Sequence, residues 1–390
     1  GKGSPLLLIG LLVVVGCCVL SLIVFGGFGG SGDQISDLPA LPADTGQEVA
    51  PDLPTLEPEP VAPESPTATP RPFTPPAISS GSGDDTWLVM FYQDADDKIL
   101  EQDIYVDLNE AERVGSSDRV HIVTQMDRYR AGYRGDGDWA STKRFYVTQD
   151  NDLGRIGSQQ VADLGEANMS DGDTLVDFVT WAVETFPADK HALIMSDHGM
   201  GWPGGWSDAD PGGRGDPSIP LSSAVGDELF LMELDEALGE IRQQTGLEKL
   251  ELIGLDACLM GHVEVYDALA PHARYAVASQ ETEPALGWAY TSFLQALQAN
   301  PDMNGEELGR TIVDSYIRDD QRIVDDQARA ELLSRGSPMG GLFSLFGPAT
   351  AEQVAQQMAQ NTTLSAVDLE AVPELVDSLN ELSFALQKAS

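Results

Sequence analysis

Two apolar runs of the same design most constrain what this chain can fold into. Residues 190–202 read KHALIMSDHGMGW and residues 250–261 read LELIGLDACLMG. Each run is apolar on consecutive positions and then stops at a short polar cluster, the pattern of a strand buried on both faces. Between them, Leu231 to Gln243 carries apolar residues at helical spacing. A strand–helix–strand unit of this kind implies a right-handed crossover within a mostly parallel sheet covered on both sides. In such sheets, sites form at the carboxyl ends of the strands. There the two runs deliver an imidazole, His198, and a thiol, Cys258.

The surrounding pattern extends this α/β reading. Trp87 to Tyr92 and Val120 to Gln125 are further buried-strand runs, with an amphipathic stretch from Ile99 to Val114 between them. Lys143 to Val147 reads as a hairpin member, and Asp173 to Phe186 as a capped helix. After Cys258, helices are expected at 263–269 and from Tyr290 to Ala299, with a short strand at 275–279 between them. One long helical region is expected at 306–333, then a Gly-rich loop at 335–348 and a helix at 375–386. No internal repeat is present.

The N-terminal part is of another kind. Pro5 to Phe28 is 24 residues without a charge, long enough at 1.5 Å per residue to cross a hydrocarbon core of about 30 Å. A retained transmembrane anchor at 5–28 is expected, after a short flank at 1–4. The rival readings are a cleaved signal peptide and a lipoprotein site at Cys17. Residues 29–84 are rich in Pro, Glu, Thr and Ser, with few large apolar side chains, and are expected to form a disordered acidic spacer. Residues 85–390 then form the folded domain. With 22 Lys and Arg against 63 Asp and Glu, the net charge is -41. Such a field repels nucleic acid and favours cationic ligands.

Cys258 is the only cysteine outside the apolar N-terminal segment, which holds Cys17 and Cys18, so the folded part cannot form an internal disulfide. A thiol of ordinary pKa, about 8.5, attacks well at neutral pH only beside a base or a positive charge. A nearby imidazole supplies one. The competing reading is that a lone cysteine is a small buried hydrophobe, and spacing alone leaves both open. His262 and His272 follow Cys258, yet no set of three or four ligands has zinc spacing. Asp94, Asp96 and Asp97 crowd one loop, and Asp208, Asp210 and Asp216 another. Neither fits an EF-hand, and the ordinary reading of both is a solvated acidic loop.

The pairs His198-Gly199 and Ala257-Cys258 resemble, in identity and order, the motifs of the clostripain family of cysteine peptidases, in the caspase-like clan. Residues 87–129 resemble that family's opening strand, acidic loop, helix and second strand. SQETEPALGWAY (279–290) resembles its post-cysteine substrate loop, and TLSAVDL (363–369) a later strand. The resemblance implies a caspase-like three-layer αβα sandwich with a mostly parallel central sheet. It implies that Cys258 is the nucleophile and His198 the base and later the acid. The tetrahedral oxyanion would be held by the amides of Gly199 and Cys258. Asp197 is not assigned as an orienting group, because neighbours along a strand point to opposite faces.

By the same resemblance Asp256, two residues before Cys258, lines the pocket for the residue before the scissile bond and selects Arg or Lys. Glu281 or Glu283 would supply a second carboxylate there. Self-cleavage between His198 and Cys258 is implied, with Arg214 as the basic residue of the intervening loop. No cofactor is required by this reading, and calcium stays open because calcium dependence occurs in the family. The expected partners are proteins or peptides with basic residues, and the membrane through the N-terminal helix. The expected location is the bacterial cell membrane, single-pass, with the domain outside the cytoplasm. The alternatives are a catalytically silent peptide-binding module on a stalk, or hydrolysis of a non-peptide amide or ester.

Overall fold

The computed structural model describes residues 85–137, 139–209, 219, 226–334 and 349–389. The expected anchor at 5–28, the spacer at 29–84, Arg214 and the Gly-rich stretch at 335–348 lie outside the described residues. Among the described residues no helix is long and apolar enough to cross a membrane.

The core is an eight-stranded sheet. Its first strand, β1 (Trp87–Ala95), is parallel to β2 (Val120–Arg128) on one side and to β5 (Lys190–Ser196) on the other. From β5 the sheet continues in parallel to β8 (Leu250–Asp256) and β9 (Ala273–Ser279). Antiparallel strands close both edges: β3 (Thr142–Tyr146) and β4 (Gln159–Gly165) beyond β2, and β10 (Leu364–Asp368) beyond β9. The order is β10-β9-β8-β5-β1-β2-β3-β4. A two-stranded ribbon of β6 (Gly204–Gly205) and β7 (Leu229–Phe230) stands apart from it.

Alternation along the buried strands sends side chains to opposite faces. Leu88, Met90, Tyr92, Leu193 and Met195 pack with α2 (Gly172–Thr185), α3 (Leu231–Thr245) and α4 (Val263–Leu269). On the other face, Trp87, Val89, Phe91, Ala192 and Ile194 meet α1 (Glu101–Glu112), α5 (Tyr290–Ala299) and α6 (Gly305–Ser315). Local signals set several helix ends. Asp171 caps α2 by accepting the Asp173 amide. Asn304 and Glu307 form a reciprocal capping box on α6. Gly246, at φ 74, ends α3 in the left-handed conformation that glycine tolerates best.

Four features differ from these expectations. The long helix over 306–333 is instead α6, a turn, α7 (Gln321–Val324) and α8 (Asp326–Ser334). The chain breaks at Ile317, at φ 61, and Asp320 restarts it by accepting the Arg322 amide. The break lets the Arg322 side chain turn into the core. Strand β4 was not expected, because its residues are mostly exposed and show no apolar alternation. Nor was α9 (Ala351–Met358), which Thr350 and Gln353 cap reciprocally. The last helix, α10 (Val372–Ala389), begins three residues earlier than its periodicity indicates.

Candidate active site

The register of the central strands brings the two motifs together. Ser196, the last residue of β5, is paired with Asp256, the last of β8, and the Asp197 amide donates to the Asp256 carbonyl at 3.4 Å. His198 and Cys258 therefore leave adjacent parallel strands at the same end of the sheet. Gly199 fixes how closely they approach. A Cβ on Gly199 would lie 2.2 Å from the Cys258 carbonyl oxygen and 3.1 Å from the Ala257 Cβ, so only a residue without a Cβ fits. Gly199 is bridged to Gly205, through bonds from the amides of Met200 and Trp206. Its own buried N–H has no acceptor among the described residues. A buried amide without a partner is rare in folded proteins, and here it lies against the Cys258 backbone.

The imidazole has a partner that sequence reasoning missed. Asp97, in the loop after β1, places Oδ1 3.5 Å from His198 Nε2. The Asp97 carboxylate is itself held by the amides of Ile99 at 2.7 Å and Leu100 at 2.8 Å. The hydrogen bond to Asp97 pushes the His198 pKa up to about 9, against the opposing effect of burial, with the charges of Asp197 and Glu228 helping. Burial acts to raise the Asp97 pKa, but the bonds from His198 and Leu100 outweigh it and hold the group below its ordinary value. The imidazole is thus positively charged at neutral pH. The only hint in the sequence was the crowding of Asp94, Asp96 and Asp97. Asp197 instead accepts from the Ser207 amide at 2.8 Å and is buried.

Beside the thiol lies an acidic recess. Cys258 Sγ accepts from the Glu283 amide at 3.3 Å and lies 3.9 Å from the Glu283 carbonyl. The Glu283 carboxylate accepts from Trp288 Nε1 at 3.0 Å and from the Tyr316 hydroxyl at 3.3 Å. Asp256 Oδ2 accepts from the Tyr290 hydroxyl at 2.8 Å. Burial pushes Asp256 up to about 6, restrained by the Tyr290 hydrogen bond. Glu283 is raised well above its ordinary value, by burial first and then by the Asp256 charge. Of the two glutamates expected near the pocket, Glu283 lies beside Asp256, whereas the Glu281 side chain is exposed to solvent. Only the backbone of Glu281 is tied down: its carbonyl accepts from Leu259 and its amide donates to Thr363.

Behind the recess the chain supplies its own cation. Arg322 is buried and pairs with Asp107 at 2.6 Å, Asp320 at 3.0 Å, and Asp103 and Glu110 at 3.6 Å each. It also donates to the Leu286 carbonyl, so it holds the 283–288 loop. Gly287, at φ +66, sits where a Cβ would come within 2.5 Å of Asp107 Oδ2 and 3.1 Å of Asp256 Oδ2. The Arg322 group and the recess thus share one wall.

A half-exposed imidazole held by a carboxylate, next to a thiol bordered by buried carboxylates, is the equipment of a cysteine-nucleophile hydrolase. The clostripain family profile (peptidase C11) matches residues 91–330, and the chain belongs to that family of cysteine peptidases. It is 28% identical over 242 residues to clostripain from Hathewaya histolytica, an alignment covering 56% of this chain and 43% of that protein. The chain thus spans less than half the length of this relative. A solved secreted C11 cysteine protease from Bacteroides thetaiotaomicron, in complex with an irreversible peptide inhibitor, shares the fold. Its TM-score is 0.50 at 20% identity, covering 75% of this chain and 68% of that one.

Proposed function

We propose that this protein is a cysteine endopeptidase that cleaves after Arg or Lys. The observation that carries the reading is the Asp256–Glu283 recess bordering Cys258 Sγ through the Glu283 amide. Two adjoining buried carboxylates are costly without a counter-charge, so a guanidinium or ammonium is favoured there and an acidic side chain is repelled. With Arg or Lys in the recess, the next carbonyl of the substrate is presented to the thiol.

Cys258, as thiolate, forms the bond to the carbonyl carbon. The C=O electron pair moves to oxygen, which the amides of Gly199 and Cys258 receive. His198 carries a proton at neutral pH and gives it to the leaving amine as the C–N bond breaks, releasing the first product. The acyl–sulfur bond is then hydrolysed by water that His198, now neutral, deprotonates. Asp97 orients the imidazole and favours its charged form.

The same reading extends to the rest of the chain. Pro5 to Phe28 would hold the domain at a bacterial membrane, outside the cytoplasm, with 29–84 as the spacer, and the chain would cut itself after Arg214. The uncharged apolar run supports the first, and the single basic residue of the 208–216 stretch, between the two reactive side chains, supports the second.

Labelling with a peptidyl-Arg electrophile tests the site directly. Wild type should be labelled and should turn over Arg substrates. Cys258→Ala and His198→Ala should lose several orders of magnitude, with the double variant little worse than either. Substantial activity in Cys258→Ala, or cleavage after Asp, would refute the reading. Intact-mass analysis of wild type beside Cys258→Ala reads processing, and fractionation with membranes reads the anchor.

A further inference from the structure

An exposed tryptophan stands beside the reacting groups. From His198 the chain runs into a hairpin: the Trp206 amide donates to the His198 carbonyl at 3.0 Å, and the Met200 amide to the Gly204 carbonyl at 2.8 Å. A bond from the Gly204 amide to the Gly201 carbonyl, at 3.0 Å, closes the tip as a β-turn with Trp202 and Pro203 at its centre. The tip is fixed on two sides. The Leu231 amide donates to the Pro203 carbonyl at 3.1 Å. A Cβ on Gly201 would lie 3.2 Å from the carbonyl oxygen of Leu259, the residue after the nucleophile. Of the chain's six tryptophans, all among the described residues, only Trp202 is exposed, at 61%. Met232, next to Leu231 on α3, is 58% exposed.

This hairpin and the acidic recess lie on opposite faces of the sheet. Trp206 and Leu229 pack into the core that holds α2, α3 and α4. Trp288, Tyr290 and Tyr316, which hold the recess carboxylates, pack into the core of α1, α5 and α6. A peptide held extended sends successive side chains to opposite sides. With a basic side chain in the recess, the next side chain, beyond the scissile bond, is therefore turned to the face that carries Trp202 and Met232. The reaction leads to the same place. His198, which gives its proton to the leaving amine, opens the hairpin, and Gly199, which receives the oxyanion, comes three residues before Trp202. A fixed indole and a thioether left in water gain by apolar contact in proportion to the area covered.

We propose that Trp202 and Met232 form a subsite for the residue that follows the scissile bond, and that this subsite takes a large apolar side chain such as Phe or Leu. The inference rests on the cut after Arg or Lys proposed above and adds a second determinant to it. The substrate class becomes a basic residue followed by a large apolar one. A glycine in the second position leaves the indole uncovered. An aspartate there brings a charge to an apolar surface on a chain whose net charge is -41.

The test uses the full chain and internally quenched peptides with Arg before the scissile bond and Phe, Leu, Gly, Lys or Asp after it. A peptidyl-Arg coumarin amide, which has no residue in that position, is run beside them. If neither the coumarin amide nor any peptide is cut, the reading above falls and the subsite with it. If the coumarin amide is cut, equal kcat/KM for the Phe and Gly peptides overturns the subsite alone. The expected result is that Phe and Leu exceed Gly about tenfold. Trp202→Ala should bring the Phe-to-Gly ratio below about threefold, Met232→Ala should lower it less, and Trp202→Phe should keep most of it. Leu164→Ala, at an exposed apolar residue of the edge strand β4, should leave the ratio as in wild type. Because the ratio is taken within one preparation, a fraction of inactive chain cancels. An unchanged ratio in Trp202→Ala, or a wild-type preference for Lys or Asp over Phe, overturns the proposal. A second measurement needs no variant. With the coumarin amide as acyl donor, added phenylalaninamide should intercept the acyl-enzyme about ten times better than glycinamide, its amine displacing sulfur from the acyl carbon and passing its proton to His198. Equal capture of the two amines overturns the subsite.

Discussion

On the Cys258 side of the site, the carboxylates of Asp103, Asp107, Glu110 and Asp320 surround a guanidinium that the chain itself supplies. On the His198 side, Asp94, Asp127 and Asp197 are equally buried, yet no Lys or Arg pairs with them among the described residues. Both groups face the same electrostatic cost, and they meet it differently. Arg322 is covalently present at every moment, so one positive charge always offsets part of that cluster, while burial raises Asp107 and Glu110 toward their neutral forms. The His198 side has no such built-in cation and meets the cost with protons: burial pushes Asp127 up to about 9 and Asp197 up to about 8. A surplus of buried carboxylate is thus held by a fixed charge where its cation is built in, and by bound protons where it is not.

The largest effect that could break this comparison is expected from Arg322→Met. It strands four carboxylates, and the loss of unfolding free energy in urea should be about 3–5 kcal/mol. A loss below about 1 kcal/mol would show that the cluster is not held by its guanidinium.

Next comes Asp97→Asn, which should lower kcat roughly 100-fold while leaving substrate binding nearly unchanged. It should also move the His198 titration from about 9 down toward the ordinary histidine value of about 6.5, followed by NMR in Cys258→Ala. The sign follows from linkage. A histidine whose pKa is raised by folding adds stability that is fully present below its unfolded value and is lost as pH rises through the folded one. The contribution of the Asp97 pair is therefore intact at pH 6 and gone by about pH 10.

The recess gives a smaller and more selective effect. Glu283→Gln should reduce kcat/KM for Arg substrates about tenfold, or about 1.4 kcal/mol, whereas Glu281→Gln should change it less than about twofold. Equal effects would remove the distinction between the inward and the exposed glutamate.

The smallest effect is expected from Asp94→Asn, at a completely buried carboxylate whose Oδ2 has no hydrogen-bond partner. It removes one of several mutually repelling buried charges, and stability near pH 8 should rise by on the order of 1 kcal/mol. A loss of more than that would mean that the orphaned carboxylate is better satisfied than its surroundings indicate.

How legible this was depended on whether a residue's role is local or assembled. The central strands were legible because runs such as HALIMS and LELIGL are apolar on every position, which only a strand covered on both faces accommodates. His198, Gly199, Cys258 and Asp256 stood out as candidates because each sits in one of these runs or just beyond it. Asp97 was not assigned: its bond to His198 spans a hundred residues, and an acidic loop looks the same whether or not it holds an imidazole. Tyr290, Tyr316 and Arg322 escaped for the same reason, since aromatic and basic residues at helical spacing carry no mark of facing a carboxylate. Strand β4 was hidden by exposure, because an edge strand with few buried side chains loses the alternation that would announce it.

The supports of the recess come late in the chain. Tyr316 holds Glu283, Arg322 holds the Leu286 carbonyl, and Thr363 receives the amides of Gln280 and Glu281 at 3.0 and 2.9 Å. A ribosome working from the N-terminus therefore releases the imidazole and the thiol well before the residues that wall the acidic recess. During that interval the nascent polypeptide possesses both reactive groups but lacks the residues that anchor the loop beside the thiol. Birth order alone thus delays completion of the site until the far end of the domain has emerged, and a transcript truncated soon after Cys258 would encode the imidazole and the thiol without the supports of the neighbouring loop.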